Sequence, residues 1–305
     1  LPVNTHDDGV ESGEELRLKY RYLDLRRPSM LQTLRRRAEF YHFMRDYMEA
    51  HDFIEVTTPI LANSSPEGAR DFLVPSRLRP GQFYALPQAP QQFKQLLMVG
   101  GLPRYYQIAP CFRDEDPRAD RLYGDFYQLD CEMSFVDKGE TVRQTVEPLI
   151  KSLVTDFAGK KLFSEEIPRI SYQESMEKYG VDKPDLRYGM EMIELTEILK
   201  DTSFKVFQSP CVKAICVENG ASLTRSQIDQ FTEKARKLGA SGLAYIMYEN
   251  GTEKSPIAKF LQPEELTKIK EATGAKDGDA VFFCSDDRAK VNKILGQLRI
   301  AFADH

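Results

Sequence analysis

The clearest helical pattern along the chain lies at residues 31–51. Its apolar residues recur at intervals of three and four: Leu31, Leu34, Ala38, Tyr41, Met44 and Met48. This spacing places them on one side of a helix. The stretch before it, residues 1–30, is polar and charged up to Pro28. It is predicted to be a linker and lead-in.

The next segments alternate between strand and helix patterns. Residues 53–61 are rich in β-branched residues but contain Pro59, so a strand here should lie at the edge of a sheet or at an interface. Residues 71–86 predict a hairpin. Residues 88–99 predict a helix that begins near Pro90.

Residues 104–135 contain two strand-like runs in which polar and apolar positions alternate. In the first run, one face carries Gln107, Arg113 and Glu115. In the second run, one face carries Phe126, Gln128, Asp130, Glu132 and Ser134, and the other carries Tyr127, Leu129, Cys131, Met133 and Phe135. The apolar face can pack on helices and leaves two carboxylates on the polar face. A sheet with one hydrated face shows the same alternation, and this alternative stays open.

The remaining chain predicts a helix after residue 140 and then a change of pattern near residue 190. The later strands are predicted at 203–217, 242–248 and 279–284. A helix between Leu223 and Leu238 begins near Thr224 and ends at Gly239, the usual residue after a helix. These elements, with a lysine-rich helical end, predict a separate small α+β module.

Composition narrows the class of protein. Hydrophobic residues make up 41% and charged residues 29%, as in ordinary globular proteins. No apolar run is long enough to span a membrane, and a net charge of -5 argues against a sequence-blind nucleic-acid binder. The five cysteines are scattered without a C-x-x-C pair, which predicts a reduced, cytoplasmic protein. The chain starts with Leu1 and not Met, so it is expected to begin inside a longer gene product.

Two polar segments carry candidate chemistry. A loop at 66–71 and a helix start at 88–95 offer a carboxylate for an ammonium and Lys94 for a carboxylate, as an acidic amino acid requires. A surface ion pair is the simpler alternative. Near the hairpin turn, the planar guanidinium of Arg113 suits a phosphate, with Glu115 beside it. Since the chain has no P-loop or Rossmann fingerprint, a nucleotide would need another cradle, such as an antiparallel sheet.

Several stretches resemble sequence blocks of bacterial-type aspartyl-tRNA synthetases, which are class II aminoacyl-tRNA synthetases. The similar stretches are residues 20–27, 66–71, 86–98, 111–116, 126–135 and 179–187. The resemblance covers nearly the whole chain. It implies an α+β fold, in which an incomplete class II antiparallel sheet is flanked by helices and a small α+β domain is inserted.

The resemblance also implies a domain order. Residues 31–187 would be the N-terminal part of the catalytic domain, 188–292 the bacterial insertion domain, and 293–305 the start of the return to the catalytic domain. The helix at 31–51 resembles the motif that builds the dimer interface, so a homodimer is expected. The hairpin at 104–135 resembles the motif that binds ATP and the tRNA acceptor end.

Individual roles follow from the same resemblance. The residues implied to bind aspartate are Glu67, Gln91, Lys94, Arg113 and Asp130. Lys94 would meet the side-chain carboxylate of aspartate, Asp130 would help to hold the ammonium, and Arg113 would bridge the α-carboxylate and the α-phosphate. ATP would be bound by Arg113, the catalytic residue, and by Glu115. Arg118 and Arg121 would contact tRNA.

The implied activity is ATP-dependent conversion of L-aspartate to aspartyl-adenylate and transfer to tRNA(Asp), with tRNA(Asn) left open. Mg²⁺ would act with ATP. Its ligands belong to a third motif that does not occur before His305, so no metal site and little turnover are expected in this chain. Two alternatives are a non-catalytic binding or dimerisation module, and an ATP-dependent ligase that joins ammonia to aspartate. The latter would lack the insertion domain.

Overall fold

The computed structural model describes residues 1–7, 11–65, 68–115 and 124–305. These residues pack as two compact units, Leu1–Glu165 and Glu166–His305. Residues 166–187 therefore pack with the second unit, although the resemblance assigns them to the catalytic domain. The insertion domain at 188–292 stays a prediction, because a packing boundary need not coincide with a family domain boundary.

The first unit combines helices with a small sheet and a separate hairpin. Its helices are α1 (Glu14–Lys19), α2 (Arg21–Asp24), α3 (Pro28–Ala50), α4 (Gln91–Val99) and α5 (Gly139–Ser152), which continues into a π-helical turn at Leu153–Phe157. Its strands are β1 (Ile54–Glu55), β2 (Leu73–Pro75), β3 (Phe83–Ala85), β4 (Arg104–Arg113) and β5 (Gly124–Met133). The predicted hairpin is β2–β3, and the predicted helix after it is α4. The order of the main sheet is β1-β4-β5.

The strand predicted around Pro59 does lie at a sheet edge, where β1 pairs in parallel with β4. It is shorter than predicted and ends at Glu55. The backbone N–H of Val56 still donates to the carbonyl oxygen of Tyr106. Two residues later, the backbone N–H of Thr58 donates to the side-chain oxygen of Gln107 at 2.7 Å. A side chain therefore replaces the backbone ladder before the proline, which has no N–H to donate.

The apolar face of the β4–β5 hairpin packs against α3 and α5. Its core contains Met48, Phe53, Tyr106 and Leu149. The apolar stripe predicted for α3 is buried only in its second half, at Met44 and Met48. Leu31 and Leu34, in the first half, are 41% and 43% exposed. Helical spacing identified the stripe correctly but could not show which part of it packs within this chain.

The predicted lead-in at residues 1–30 contains α1 and α2, which its polar pattern did not predict. The Asp7 carboxylate accepts hydrogen bonds from the Ser29 N–H and hydroxyl, both at 2.7 Å, and so caps α3. These bonds from Ser29 lower the pKa of Asp7. The Arg27 guanidinium bonds to Asp7, Glu11 and Asp24, so ion pairs anchor this segment, in which Val3 is also buried.

The second unit has one five-stranded antiparallel sheet covered by helices. Its helices are α6 (Tyr172–Tyr179), α7 (Arg225–Lys237), α8 (Pro263–Thr273) and α9 (Arg288–Ala303). Its strands are β6 (Ile193–Glu194), β7 (Cys211–Val217), β8 (Ala244–Glu249), β9 (Thr252–Lys254) and β10 (Ala280–Asp286), in the sheet order β6-β7-β10-β8-β9. All its strand pairs are antiparallel. The predicted strand at 203–217 is strand only from Cys211, and α8 was not predicted.

Both faces of this sheet are buried. Phe282 packs with α7 and α9 on one face, whereas Phe283 packs with α8 on the other. The prediction for α7 is confirmed in detail, because Thr224 forms a capping box with Gln227 and Gly239 follows with a φ of 104°. The fold of the chain is α+β. No described helix is long and apolar enough to cross a membrane.

Within the second unit, residues 166–187 are held against the rest of the unit by close backbone packing and by ion pairs. Gly180 lies so close to α9 that a Cβ there would stand 2.8 Å from the Cα of Gly296. Glu177 bonds to Lys213, a lysine only 1% exposed, and to Arg288 at 2.9 Å. The Lys213 bond is the main cause that lowers the pKa of Glu177.

Candidate binding site on the polar face of the hairpin

The polar face predicted for the hairpin is present. The register pairs Gln107 with Asp130 and Tyr105 with Glu132. Directly opposed residues of an antiparallel pair point to the same face, so these four side chains lie together. The Asp130 side chain is buried, and Glu132 is 38% exposed. The apolar face packs on α3 and α5, which leaves this face available for polar contacts.

Helix α4 places a lysine over this face. Its N-cap is Pro90, so Gln91 and Lys94 fall in its first turn, three residues apart and on one side of the helix. The Lys94 Nζ lies 3.0 Å from Oδ1 of Asp130 and 3.2 Å from Oε2 of Glu132. The Lys94 side chain is only 12% exposed. The residues predicted to recognise an acidic amino acid at its two ends, Lys94 and Asp130, are therefore in direct contact.

The charge balance of this cluster favours a further cation. Burial opposes the charged form of Lys94, but the bonds to Asp130 and Glu132 outweigh it, and the pKa of Lys94 is raised. One ammonium thus faces two carboxylates. The second oxygen of Asp130, Oδ2, is buried and accepts no hydrogen bond from any described residue. A buried carboxylate oxygen without a donor suits a ligand ammonium.

The chain before α4 is held by the buried side chain of Gln88. Its amide exchanges hydrogen bonds with the backbone of Ala69, at 2.8 and 3.1 Å, and donates to Asp71. A cavity of about 20 Å³ lies between this loop and α4, which is room for about one water molecule. Glu67, predicted to contact aspartate, lies outside the described residues.

The phosphate-binding candidates lie at the other end of the hairpin. Arg113 is the last residue of β4, with its guanidinium carbon 5.0 Å from the centre of the Phe126 ring. Its Nε is buried and makes no hydrogen bond to a described residue. Arg113 lies six residues beyond Gln107 along β4. Glu115 is exposed just beyond β4, and residues 116–123, with Arg118 and Arg121, lie outside the described chain.

This face is therefore suited to an extended ligand. Lys94 and Asp130 could hold an amino acid at one end, and Arg113 could hold a phosphate towards the other. No group of three or more histidine, cysteine or acidic residues in the described ranges is arranged to hold a metal ion.

Two side chains beside this cluster, Glu132 and Tyr105, were not among the predicted site residues. Glu132 was placed on the polar face, but its bond to Lys94 depends on how α4 lies over the sheet. Tyr105 is fully buried on the same face, and its hydroxyl makes no hydrogen bond to a described residue. Counting back two positions from Gln107 would have identified its face, though not its unbonded hydroxyl.

A family model and two similar curated proteins that match this chain indicate the same family. Residues 13–284 match a family model described as tRNA synthetases class II (D, K and N). A Chlorobaculum parvum protein named aspartate–tRNA(Asp/Asn) ligase is 50% identical over 302 residues, covering 97% of this chain and 50% of that protein. A protein of the same name from Rickettsia felis is 50% identical over 308 residues, covering 99% of this chain and 51% of its own length. The chain thus spans about half the length of the curated relatives it matches.

Solved structures show a weaker likeness. An Entamoeba histolytica asparaginyl-tRNA synthetase aligns with 98% of this chain and 71% of its own, at 15% sequence identity and a TM-score of 0.49.

Proposed function

The chain belongs to the class II tRNA synthetases of the D, K and N group, and on this premise we propose that its activity is aspartate–tRNA ligation. L-Aspartate would react with ATP to give aspartyl-adenylate, and the aspartyl group would pass to tRNA(Asp). The names of the relatives support tRNA(Asn) as a second acceptor. The observation that carries the proposal is the cluster that Lys94 and Glu132 form around the buried Asp130 on the polar face of the hairpin.

The cluster provides recognition for both charged ends of aspartate. Asp130 Oδ2 accepts a hydrogen bond from the substrate ammonium, which balances the surplus negative charge. The Lys94 ammonium, which contacts Asp130 and Glu132 in this structure, has three N–H donors and turns towards the side-chain carboxylate of the substrate. Gln91, one turn before Lys94, adds a polar contact from the same side of α4.

The activation step requires positioning and neutralisation of charge. An oxygen of the substrate α-carboxylate attacks the α-phosphorus of ATP, a new O–P bond forms, and the bond to pyrophosphate breaks. The Arg113 guanidinium bonds to the α-phosphate and the α-carboxylate, reducing the repulsion between the two anions. Glu115 would lie near the adenine amino group. Mg²⁺ is proposed to act with ATP, where it would neutralise part of the phosphate charge.

Contacts with partner molecules are also proposed. We propose a homodimer through α3, because Leu31 and Leu34 lie exposed on its apolar stripe. Arg118 and Arg121 are proposed to contact tRNA, and Glu67 to contact aspartate. All five cysteines are free thiols, which is compatible with a reducing cytoplasm.

Calorimetric titration of this chain tests the proposal. The ligand is a non-hydrolysable aspartyl-adenylate analogue, and its control is the asparaginyl analogue, in which a neutral amide replaces the side-chain carboxylate. We expect the wild type to prefer the aspartyl analogue by at least about tenfold, because Lys94 donates a charge-assisted hydrogen bond only to the carboxylate. The variant Lys94→Met should lose this preference.

A matched control is Lys151→Met, which removes a lysine from an ion pair within α5. It should keep the wild-type preference. Equal binding of the two analogues by the wild type, or binding of neither, would contradict the proposal that these residues select aspartate.

A further inference from the structure

Tyr105 is an unusual residue for the position it occupies. Its side chain is fully buried on the polar face of β4, directly opposite Glu132. The hydroxyl makes no hydrogen bond to a described residue. A phenylalanine would fill the same space without burying a hydroxyl, so the hydroxyl contributes only in a state in which it has a partner.

Asp130 lies beside this hydroxyl. Burial is the main cause that raises the pKa of Tyr105, and the negative charge of Asp130 is the next. The phenol is therefore neutral at physiological pH and can donate its proton in a hydrogen bond. Asp130 accepts from Lys94 through Oδ1, while its Oδ2 has no donor among the described residues. The Tyr105 hydroxyl and Oδ2 of Asp130 thus lie close together at the proposed ammonium site, but neither atom meets hydrogen-bond geometry with a described residue in this structure.

We propose that Tyr105 is a positioning residue for aspartate binding, whose hydroxyl donates to Asp130 when Lys94 turns towards the substrate. This inference rests on the proposed function. In the ligand-free chain, Lys94 occupies Oδ1 of Asp130. When the substrate carboxylate attracts Lys94, the Tyr105 hydroxyl takes its place at Oδ1. Asp130 then keeps its negative charge and its orientation, with Oδ2 directed at the substrate ammonium.

The chain provides a matched control in the next residue. Tyr106 is also fully buried in β4 but points to the opposite face, where its hydroxyl lies 3.4 Å from Oε1 of Glu49. The substitutions Tyr105→Phe and Tyr106→Phe each remove one buried hydroxyl from the same strand. Only the first removes a group that faces Asp130. Hydrogen exchange of both variants shows whether the fold is retained.

The experiment measures the affinity of the wild type and the two variants for the non-hydrolysable aspartyl-adenylate analogue. We expect Tyr105→Phe to weaken binding about tenfold, the usual effect of losing a hydrogen bond to a charged group, and Tyr106→Phe to leave it unchanged. A succinyl analogue lacks the ammonium and should bind the wild type and Tyr105→Phe equally. A merely structural role for Tyr105 would weaken both analogues alike.

The Asp130→Asn background shows whether the hydroxyl acts through Asp130. There the substitution Tyr105→Phe should cost less than twofold, because the charged acceptor is gone. An equal loss in both backgrounds would overturn the inference, as would wild-type affinity in Tyr105→Phe. If Tyr105→Phe bound the aspartyl analogue as tightly as the wild type, the inference would fail but the proposed function would stand. Failure of the wild type to bind the aspartyl analogue would instead overturn both.

Discussion

The substitution Lys94→Met tests how strongly the buried cluster depends on its one cation. Methionine retains most of the length of the lysine side chain and removes only the ammonium, so packing against the sheet is largely kept. The change leaves Asp130 and Glu132 beside each other without a positive charge. Asp130 is only 8% exposed and stays out of contact with bulk water.

The magnitude follows from these exposures. Removing one partner of a buried ion pair costs about 3–5 kcal/mol, because the remaining charge stays buried. Glu132 is 38% exposed and can be hydrated in the variant. We therefore expect the lower end of the range, about 3 kcal/mol, which is roughly a hundredfold change in an equilibrium constant.

Hydrogen exchange measured by mass spectrometry is the suitable assay. The chain forms two units, so a single unfolding free energy for the whole molecule is not well defined. Peptides from β4 and β5 report the first unit, and their opening should become about a hundredfold more frequent in Lys94→Met. Peptides from β7 and β10 should exchange as in the wild type.

The control is again Lys151→Met. Lys151 lies 2.7 Å from Glu147, but their side chains are 29% and 24% exposed and the pair lies within one helix. Its loss should cost about 0.5 kcal/mol or less. If Lys94→Met changed the exchange of β5 as little as this control does, Lys94 would not be needed to stabilise a buried carboxylate. The physical basis of the proposed site would then be wrong.

Three further predictions concern the second unit. Gly296→Ala should lower the stability of the second unit by at least about 2 kcal/mol, because the new Cβ would lie 2.8 Å from backbone carbonyl oxygens. The control Gly242→Ala adds a Cβ that meets nothing within 4 Å, and hydrogen exchange of β7 should be faster only in the first variant. Glu177→Gln should flatten the pH dependence of stability in the second unit, because the lowered pKa of Glu177 gives stability that is present above its ordinary value of 4.5 and lost as the pH falls through the lowered one. Hydrogen exchange of β7 between pH 5 and pH 3 measures this, and the same pH dependence of opening in wild type and variant would contradict it. Thr224→Ala removes the N-cap of α7 and should cost about 1 kcal/mol, measured as faster exchange at the start of that helix and contradicted by wild-type exchange there.

The local pattern of the sequence predicted much of the secondary structure and one side of the candidate site. Period-2 alternation correctly assigned Asp130 and Glu132 to one face of their strand, and the register of the structure adds Gln107 to that face. Turn and cap residues correctly located the start of α4 and both ends of α7. These features are set by backbone geometry and by hydrogen bonds between residues close in sequence, so a single sequence contains the information.

Other features were missed because their stabilising contacts come from distant residues. The helices α1 and α2 lie in a polar segment that is held by the ion pairs of Arg27. Residues 203–210 resemble a strand in composition, but this stretch includes a 3₁₀ turn at Lys205–Phe207, and Phe207 packs into the core beside Phe283. Burial in the tertiary structure overrides weak local preference in such segments.

The sequence by itself determined which residues share a face of each strand and where the main helices begin and end. Only the tertiary structure decided which side chains meet. Lys94 and Asp130 are 36 residues apart, and their contact depends on how α4 lies across the sheet. Likewise, only packing reveals that the Tyr105 hydroxyl and one oxygen of Asp130 are buried without hydrogen bonds to described residues. Alternation fixes the direction of a side chain, but the surfaces that pack around it set its partners and its exposure to water.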